Sequence, residues 1–235
     1  MMAIAIVHKC TTAGLHMKVI SVAMQKGGVG KSTLTRSLAV AAVQEGLNVL
    51  VLDMDNQQST RQWRDRREAP LPLVSFTTEI DLPRELERAR SAGCELVLID
   101  TPPARSTEAP AAVEYSDLVL VPCTPDIESY EQLPRTLRLA RTSETPAAVV
   151  LTMATPNSRS EQDTAREVIK AMGGAQMVAV IHRLKVHRDA SREGLSAAEL
   201  EPGGKAASEI AGLWSWIGSE LQLSTSANVH KRKAS

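Results

Sequence analysis

Residues 25–33 read Gln25-Lys26-Gly27-Gly28-Val29-Gly30-Lys31-Ser32-Thr33, an order of side chains suited to holding a chain of phosphates. Closely spaced glycines let backbone N–H groups turn inward around phosphate oxygens. A helix starting at residue 32 would add the partial positive charge of its N-terminus. Lys31 is placed to reach the β- and γ-phosphates of a nucleoside triphosphate, and the Ser32 hydroxyl to ligate Mg²⁺. Lys26, Gly27, Gly28, Val29, Gly30, Lys31, Ser32 and Thr33 are therefore the expected phosphate-binding set.

Two acidic segments fit the same chemistry. Val51-Leu52 leads into Asp53-Met54-Asp55-Asn56-Gln57, and Leu96-Val97-Leu98-Ile99 leads into Asp100-Thr101-Pro102-Pro103. Carboxylates at the carboxyl ends of parallel strands face the ligand crevice, where they can hold Mg²⁺ or orient water. Asp100 is the expected metal-side acid, acting with Ser32, usually through water. Pro102 and Pro103 stiffen their loop and prevent a helix from starting at once. Asp and Asn after a strand are also common turn residues; the phosphate loop upstream gives these their chemical reading.

The elements that must position these residues are legible as alternation. Apolar runs at 18–24, 47–52, 71–76, 95–99, 117–121, 147–152 and 177–181 are short and rich in Val and Ile, as strands buried on both faces should be. Helical patterns at 32–45, 82–92, 127–141, 160–172 and 205–223 lie between or after them. The expected fold is α/β: a doubly wound, mostly parallel sheet of about seven strands with helices on both faces. No linker or internal repeat divides the chain, so one domain is expected over 17–223. Residues 1–16 read as a flexible extension or a mis-called start, and 224–235 as a disordered basic tail.

Composition narrows the function classes. Lys plus Arg number 27 and Asp plus Glu 27, for a formal net charge of zero, which argues against a uniformly basic coat for nucleic acid. Aromatics make up only 3%, too few for base-stacking platforms. Cys10, Cys94 and Cys123 form neither a disulfide framework nor a zinc ribbon. No apolar run approaches a membrane span, and the apolar start is too short for a signal peptide. The expected compartment is cytoplasmic.

Lys-Gly-Gly-x-Gly-Lys-[ST] resembles the deviant Walker A motif of the ParA/MinD family, with Gln25 in the place of the usual first glycine. The resemblance implies that Lys26 reaches across a two-fold axis to the nucleotide of a partner in an ATP-sandwich homodimer. The family's Asp-x-Asp-Pro-Gln pattern matches Asp53, Asp55 and Gln57, with Asn56 in the proline's place. It implies that Asp55 polarises the attacking water while Asp53 and Gln57 belong to a switch. Asp100-Thr101-Pro102-Pro103 is similar to the second switch, where loss of the γ-phosphate is sensed. The catalytic set implied is Lys26, Lys31 and Asp55, with ATP and Mg²⁺ as cofactors. The adenine pocket is expected at 153–157.

The likeness spans about 17–223. Asp117-Leu118-Val119-Leu120-Val121-Pro122-Cys123-Thr124-Pro125 and the turn at Gly203-Gly204-Lys205 resemble the short plasmid partition ATPases, which lack an N-terminal helix-turn-helix domain; none is expected before Met17. The resemblance implies an ATPase whose ATP dimer binds duplex DNA non-specifically and segregates plasmids or chromosomes with a centromere-binding, ParB-like partner, so a nucleoid-associated location is expected. A nitrogenase-type iron protein is excluded by the cysteines. A MinD-like membrane-cycling regulator is the alternative; it needs a basic amphipathic helix, whereas 205–223 reads as a core-docking helix, and no stable membrane insertion is expected. A dethiobiotin-synthetase-like ligase lacks a recognisable substrate cluster. For DNA, Arg183, Lys185, Arg188 and Arg192 place four cations within ten residues. The cations of 61–67 read equally well as a solvated helical face with i,i+4 pairs to Asp65 and Glu68.

Overall fold

The computed structural model describes residues 17–103, 107–172 and 175–223. The expectations for 1–16 and 224–235 lie outside the described residues. Seven strands form one sheet: β1 Lys18–Val22, β2 Val49–Asp53, β3 Leu73–Phe76, β4 Leu96–Asp100, β5 Leu118–Cys123, β6 Ala147–Ala154 and β7 Met177–His182. Their order is β3-β2-β4-β1-β5-β6-β7, and every pairing is parallel. The Val/Ile/Leu runs suit this arrangement because helices cover both faces: β4 and β5 are buried along their whole length.

Helices α1 Lys31–Gln44 and α9 Lys205–Glu220 pack on one face, around Ile20, Val22, Leu38, Leu98 and Leu120. On the other face lie α3 Leu82–Ser91, α4 Glu108–Glu114, α5 Ile127–Thr142 and α6 Arg159–Ala171, against clusters that include Leu52, Val97, Val119 and Leu151. The chain winds from β1 toward β2 and β3, returns at β4, and then crosses to β5. The loop after β1 therefore sits where the winding reverses, the usual place for a ligand crevice.

Helix α2 Ser59–Asp65 falls where 61–67 was read as a helical face, whereas three short helices among the described residues were not expected: α4, α7 Lys185–Arg192 and α8 Ala197–Leu200. None carries an apolar stripe long enough to show a period; α7 buries only Val186 and Ala190. Helix α9 docks into the core as expected, burying Ile210, Leu213, Trp214 and Ile217. Among the described residues no helix is long and apolar enough to cross a membrane.

Candidate functional site

Three strand ends meet in register. Val22 pairs with Asp100, and Asp100 with Asp53, so both acids emerge beside the loop that follows β1. In that loop Gly28 has φ +74 and Gly30 φ +88, conformations that strain any residue with a Cβ. Gly30 is the N-cap of α1, whose first turn carries no acidic residue. The N–H groups and positive dipole end of α1 are thus directed at whatever the loop holds. Thr152 Oγ1 donates to Val29 O at 2.8 Å, tying the loop to β6.

Lys31 is buried, and its Nζ donates to Lys26 O at 3.1 Å, so the ammonium folds back over the loop. Burial lowers its pKa, opposed by the charges of Asp100 and Asp55. Ser32 Oγ accepts from Ser59 Oγ at 3.0 Å. Asp53 is fully buried and accepts from the backbone N–H of Asp55, Thr60 and Arg61, each at 3.1 Å. It fixes the start of α2, and burial raises its pKa despite those bonds. Asp55 is half-buried and accepts from Gln57 N at 2.9 Å, while Gln57 is exposed. Thr101 Oγ1 donates to Val22 O at 2.9 Å, and Pro102 follows it half-buried.

Asp100 is fully buried. Its Oδ2 accepts from Thr60 Oγ1 at 2.6 Å, but Oδ1 has no protein partner. An orphaned carboxylate oxygen, beside a serine hydroxyl and the glycine-rich loop, fits Mg²⁺, which takes one or two carboxylates and completes its shell with phosphate and water. Burial pushes the Asp100 carboxyl up to about 6 from 3.8. The folded chain therefore holds the proton more tightly than the unfolded chain, so stability falls as pH rises from about 4 to about 6 and stays lower above. At neutral pH the loss is roughly 3 kcal/mol. Asp100→Asn should accordingly raise the melting temperature of the nucleotide-free chain at pH 7 by several degrees, an advantage that shrinks toward pH 4. Calorimetry at the two pH values checks this.

Lys26 reaches across from the loop to the start of α5. Its Nζ pairs with Asp126 Oδ1 and lies 3.8 Å from Glu128 Oε2. Asp126 is the N-cap of α5, accepting from Ser129 N at 2.9 Å and Thr124 Oγ1 at 2.6 Å. Burial alone would raise its pKa, but the bonds from Lys26, Thr124 and Ser129 outweigh burial and hold it well below the usual carboxylate range. Sequence reasoning missed Asp126; an Asp immediately before an apolar-periodic helix is an N-cap signal.

Two cavities flank the loop. The larger, about 1010 Å³, runs from Gly30, Thr33 and Ser37 past Thr152 and Met153 to His182, Arg183 and α7. The smaller, about 590 Å³, is lined by Lys26, Gly27, Gly28 and Val29, and by Thr124, Asp126 and Thr155. Met153 and Arg183 line both. Residues 153 and 154 belong to β6 rather than to a loop, and the wall supplied by 181–192 is absent from the pocket expected at 153–157.

The four cations proposed for DNA fall at and before α7. Lys185, Arg188 and Arg192 surround Asp189 at 3.2, 3.8 and 3.7 Å, with their side chains 76, 67 and 71% exposed, so the strip keeps an outward positive excess. The 61–67 cluster is the expected solvated face only in part: Arg61 and Arg66 are exposed and Arg64 is half-buried. Arg67 is buried and pairs with Glu199, not with Asp65 or Glu68, because the end of α2 packs under the 194–199 segment.

The CobQ/CobB/MinD/ParA nucleotide binding domain matches residues 20–197. The chain belongs to this family. Among relatives, Maintenance of carboxysome distribution protein A from Gloeobacter kilaueensis is 35% identical over 87% of this chain and 94% of its own length. Protein ParA of Rhizobium radiobacter is 28% identical over 69% and 76%. In solved structures, apo McdA from Cyanothece superposes with a TM-score of 0.74 at 18% identity, covering 86% of this chain and all of that one. MinD from Pyrococcus horikoshii with Mg-ADP gives 0.70 at 20%, covering 86% and 96%. These structures share the fold.

Proposed function

We propose that this family member is an ATP-driven positioning protein of the partition type, whose ATP-bound homodimer grips duplex DNA without sequence preference. The observation that carries this reading is Lys26. It lies in the phosphate loop, yet its charge is held outward at α5 by Asp126 and Glu128, where a second protomer's nucleotide could claim it. Lys31 and the loop amides hold the phosphates, with Ser32 and Asp100 on the Mg²⁺ side. When bound, Mg²⁺ would neutralise charge on the β- and γ-phosphates. Asp55 orients a water for attack on the γ-phosphorus, the bond to the β-phosphate oxygen breaks, and ADP and inorganic phosphate leave. Asp53, Gln57, Thr101 and Pro102 register that loss.

ATP favours the dimer and hydrolysis releases it, so the γ-phosphate biases a monomer–dimer equilibrium. Dimerisation doubles the strip of Arg183, Lys185, Arg188 and Arg192, converting a neutral chain into a local DNA grip on the nucleoid. Relatives are named for chromosome partitioning and for carboxysome distribution, which supports one engine with different cargoes. A partner, ParB-like where the cargo is DNA, would couple cargo to hydrolysis. The core-docked α9 disfavours a membrane-cycling role. Phosphate release with and without arbitrary duplex tests the reading. Turnover that waits for an added metabolite and ignores DNA would make the chain a small-molecule ligase instead.

A further inference from the structure

Helix α2 joins two places that the proposed function keeps apart, the phosphate loop and the cationic α7. Its first turn is held by groups of the nucleotide site: Ser59 Oγ donates to Ser32 Oγ at 3.0 Å, Thr60 Oγ1 to Asp100 Oδ2 at 2.6 Å, and the N–H groups of Thr60 and Arg61 to Asp53. Ser32 and Asp100 are the same groups assigned to Mg²⁺. The Ser59 bond therefore competes with the ion for Ser32 Oγ, and the Thr60 bond holds the Asp100 carboxylate by Oδ2 while Oδ1 is left for the ion, which makes the position of α2 sensitive to what the loop holds.

The other end of α2 is locked to the segment that follows α7. Trp63, fully buried, has the guanidinium groups of Arg36 and Arg67 over its ring at 5.9 and 5.2 Å from the centroid, and its Nε1 donates to Leu195 O at 3.1 Å. Arg67 donates through Nε to Leu71 O at 2.6 Å and through Nη1 to Gly194 O at 3.0 Å. It also grips both carboxylate oxygens of Glu199. Glu199 is fixed in turn by a capping box with Ser196. Gly194, at φ +70, lies so close to α2 that an added Cβ would meet the backbone of Arg66 and Arg67 at 2.6 Å. No slack separates the two segments: a shift of α2 must move 194–199, and α7 ends two residues before Gly194.

We propose that Trp63, Arg67 and Glu199 are positioning residues that carry the occupancy of the phosphate loop to α7, and so set the presentation of its cations to DNA. The inference rests on the nucleotide reading of the loop and not on DNA being the ligand of α7. Its chemistry is a fork-to-fork ion pair and an aromatic clamp, both geometrically specific, with α2 as the two-position element that coupling requires.

Hydrogen exchange on the full chain, with and without Mg²⁺ and a slowly hydrolysed ATP analogue, tests this. In the wild type the analogue should slow exchange at the phosphate loop and also, by about tenfold, at residues 185–195. In Glu199→Gln and Trp63→Phe the loop should still be protected, while 185–195 changes by less than about twofold. Arg67→Lys, which keeps the charge and loses the fork, should behave likewise, so the test survives if one variant fails to fold. Wild-type-like protection of 185–195 in folded variants, or a wild type that protects the loop alone, would overturn the proposal. Protection of α7 without any DNA retention would support the coupling and remove DNA as its purpose. No protection anywhere would overturn the coupling together with the nucleotide reading.

Discussion

Lys31→Ala should reduce ATP turnover on the order of 10³-fold, which in a slow ATPase means to background. Lys31 is the first residue of α1, and its ammonium is buried with a loop carbonyl for a partner. A cation held in a desolvated site interacts strongly with charge that develops on the phosphates. The same burial, which lowers its pKa, means that the charge does little for the nucleotide-free fold. Alanine should therefore leave the melting temperature within a few degrees of the wild type, corresponding to about 1 kcal/mol. Phosphate release and thermal melting, measured on one preparation, separate the two effects. Turnover within tenfold of the wild type would remove Lys31 from the catalytic set.

The second large effect concerns Lys26. Lys26→Ala should leave ATP binding by the single chain nearly intact but weaken the ATP-dependent dimer on the order of 10²-fold. That equals about 3 kcal/mol for one charge-assisted contact made away from water. Asp126→Asn should act in the opposite direction. Asparagine caps a helix as well as aspartate, so α5 should keep its start while the charge that holds Lys26 is lost. The released lysine should strengthen the dimer by roughly three- to tenfold. Light scattering across a concentration series with ATP reads both. An unaffected dimer in Lys26→Ala would refute the action in trans.

What the chain disclosed before its structure was known follows from how local each signal is. Apolar runs marked all seven strands, most strongly the inner ones, because strands covered on both faces need continuous apolar sequence; the edge strand β3 leaves Leu73 exposed and gave a weaker run. The glycine-rich loop between β1 and α1 was legible because its glycines, Lys31 and Ser32 lie within one turn of backbone. Asp53 and Asp100 were placed by their position at strand ends, although two of the three N–H bonds that occupy Asp53, those from Thr60 and Arg61, required the start of α2. The misses share one cause. Arg67 and Glu199 lie 132 residues apart, so a cluster of arginines looked solvated when one of them was bound for the interior. Helix α7 was visible as charge and not as a helix, since two small apolar contacts carry no period. The Lys26–Asp126 pair joins positions 100 residues apart, and nothing local to either marks the other.

Nucleotide control of the DNA grip is the central claim, and one titration tests it most directly. The chain should be titrated into an arbitrary labelled duplex with Mg²⁺ and ATP, Mg²⁺ and ADP, or Mg²⁺ alone, at low and at near-physiological salt. With Arg183, Lys185, Arg188 and Arg192 supplied by both protomers, binding is expected only with ATP, weakened on the order of 10³-fold between about 50 and 200 mM salt. Equal retention with ADP, or no retention with ATP at low salt, would contradict it.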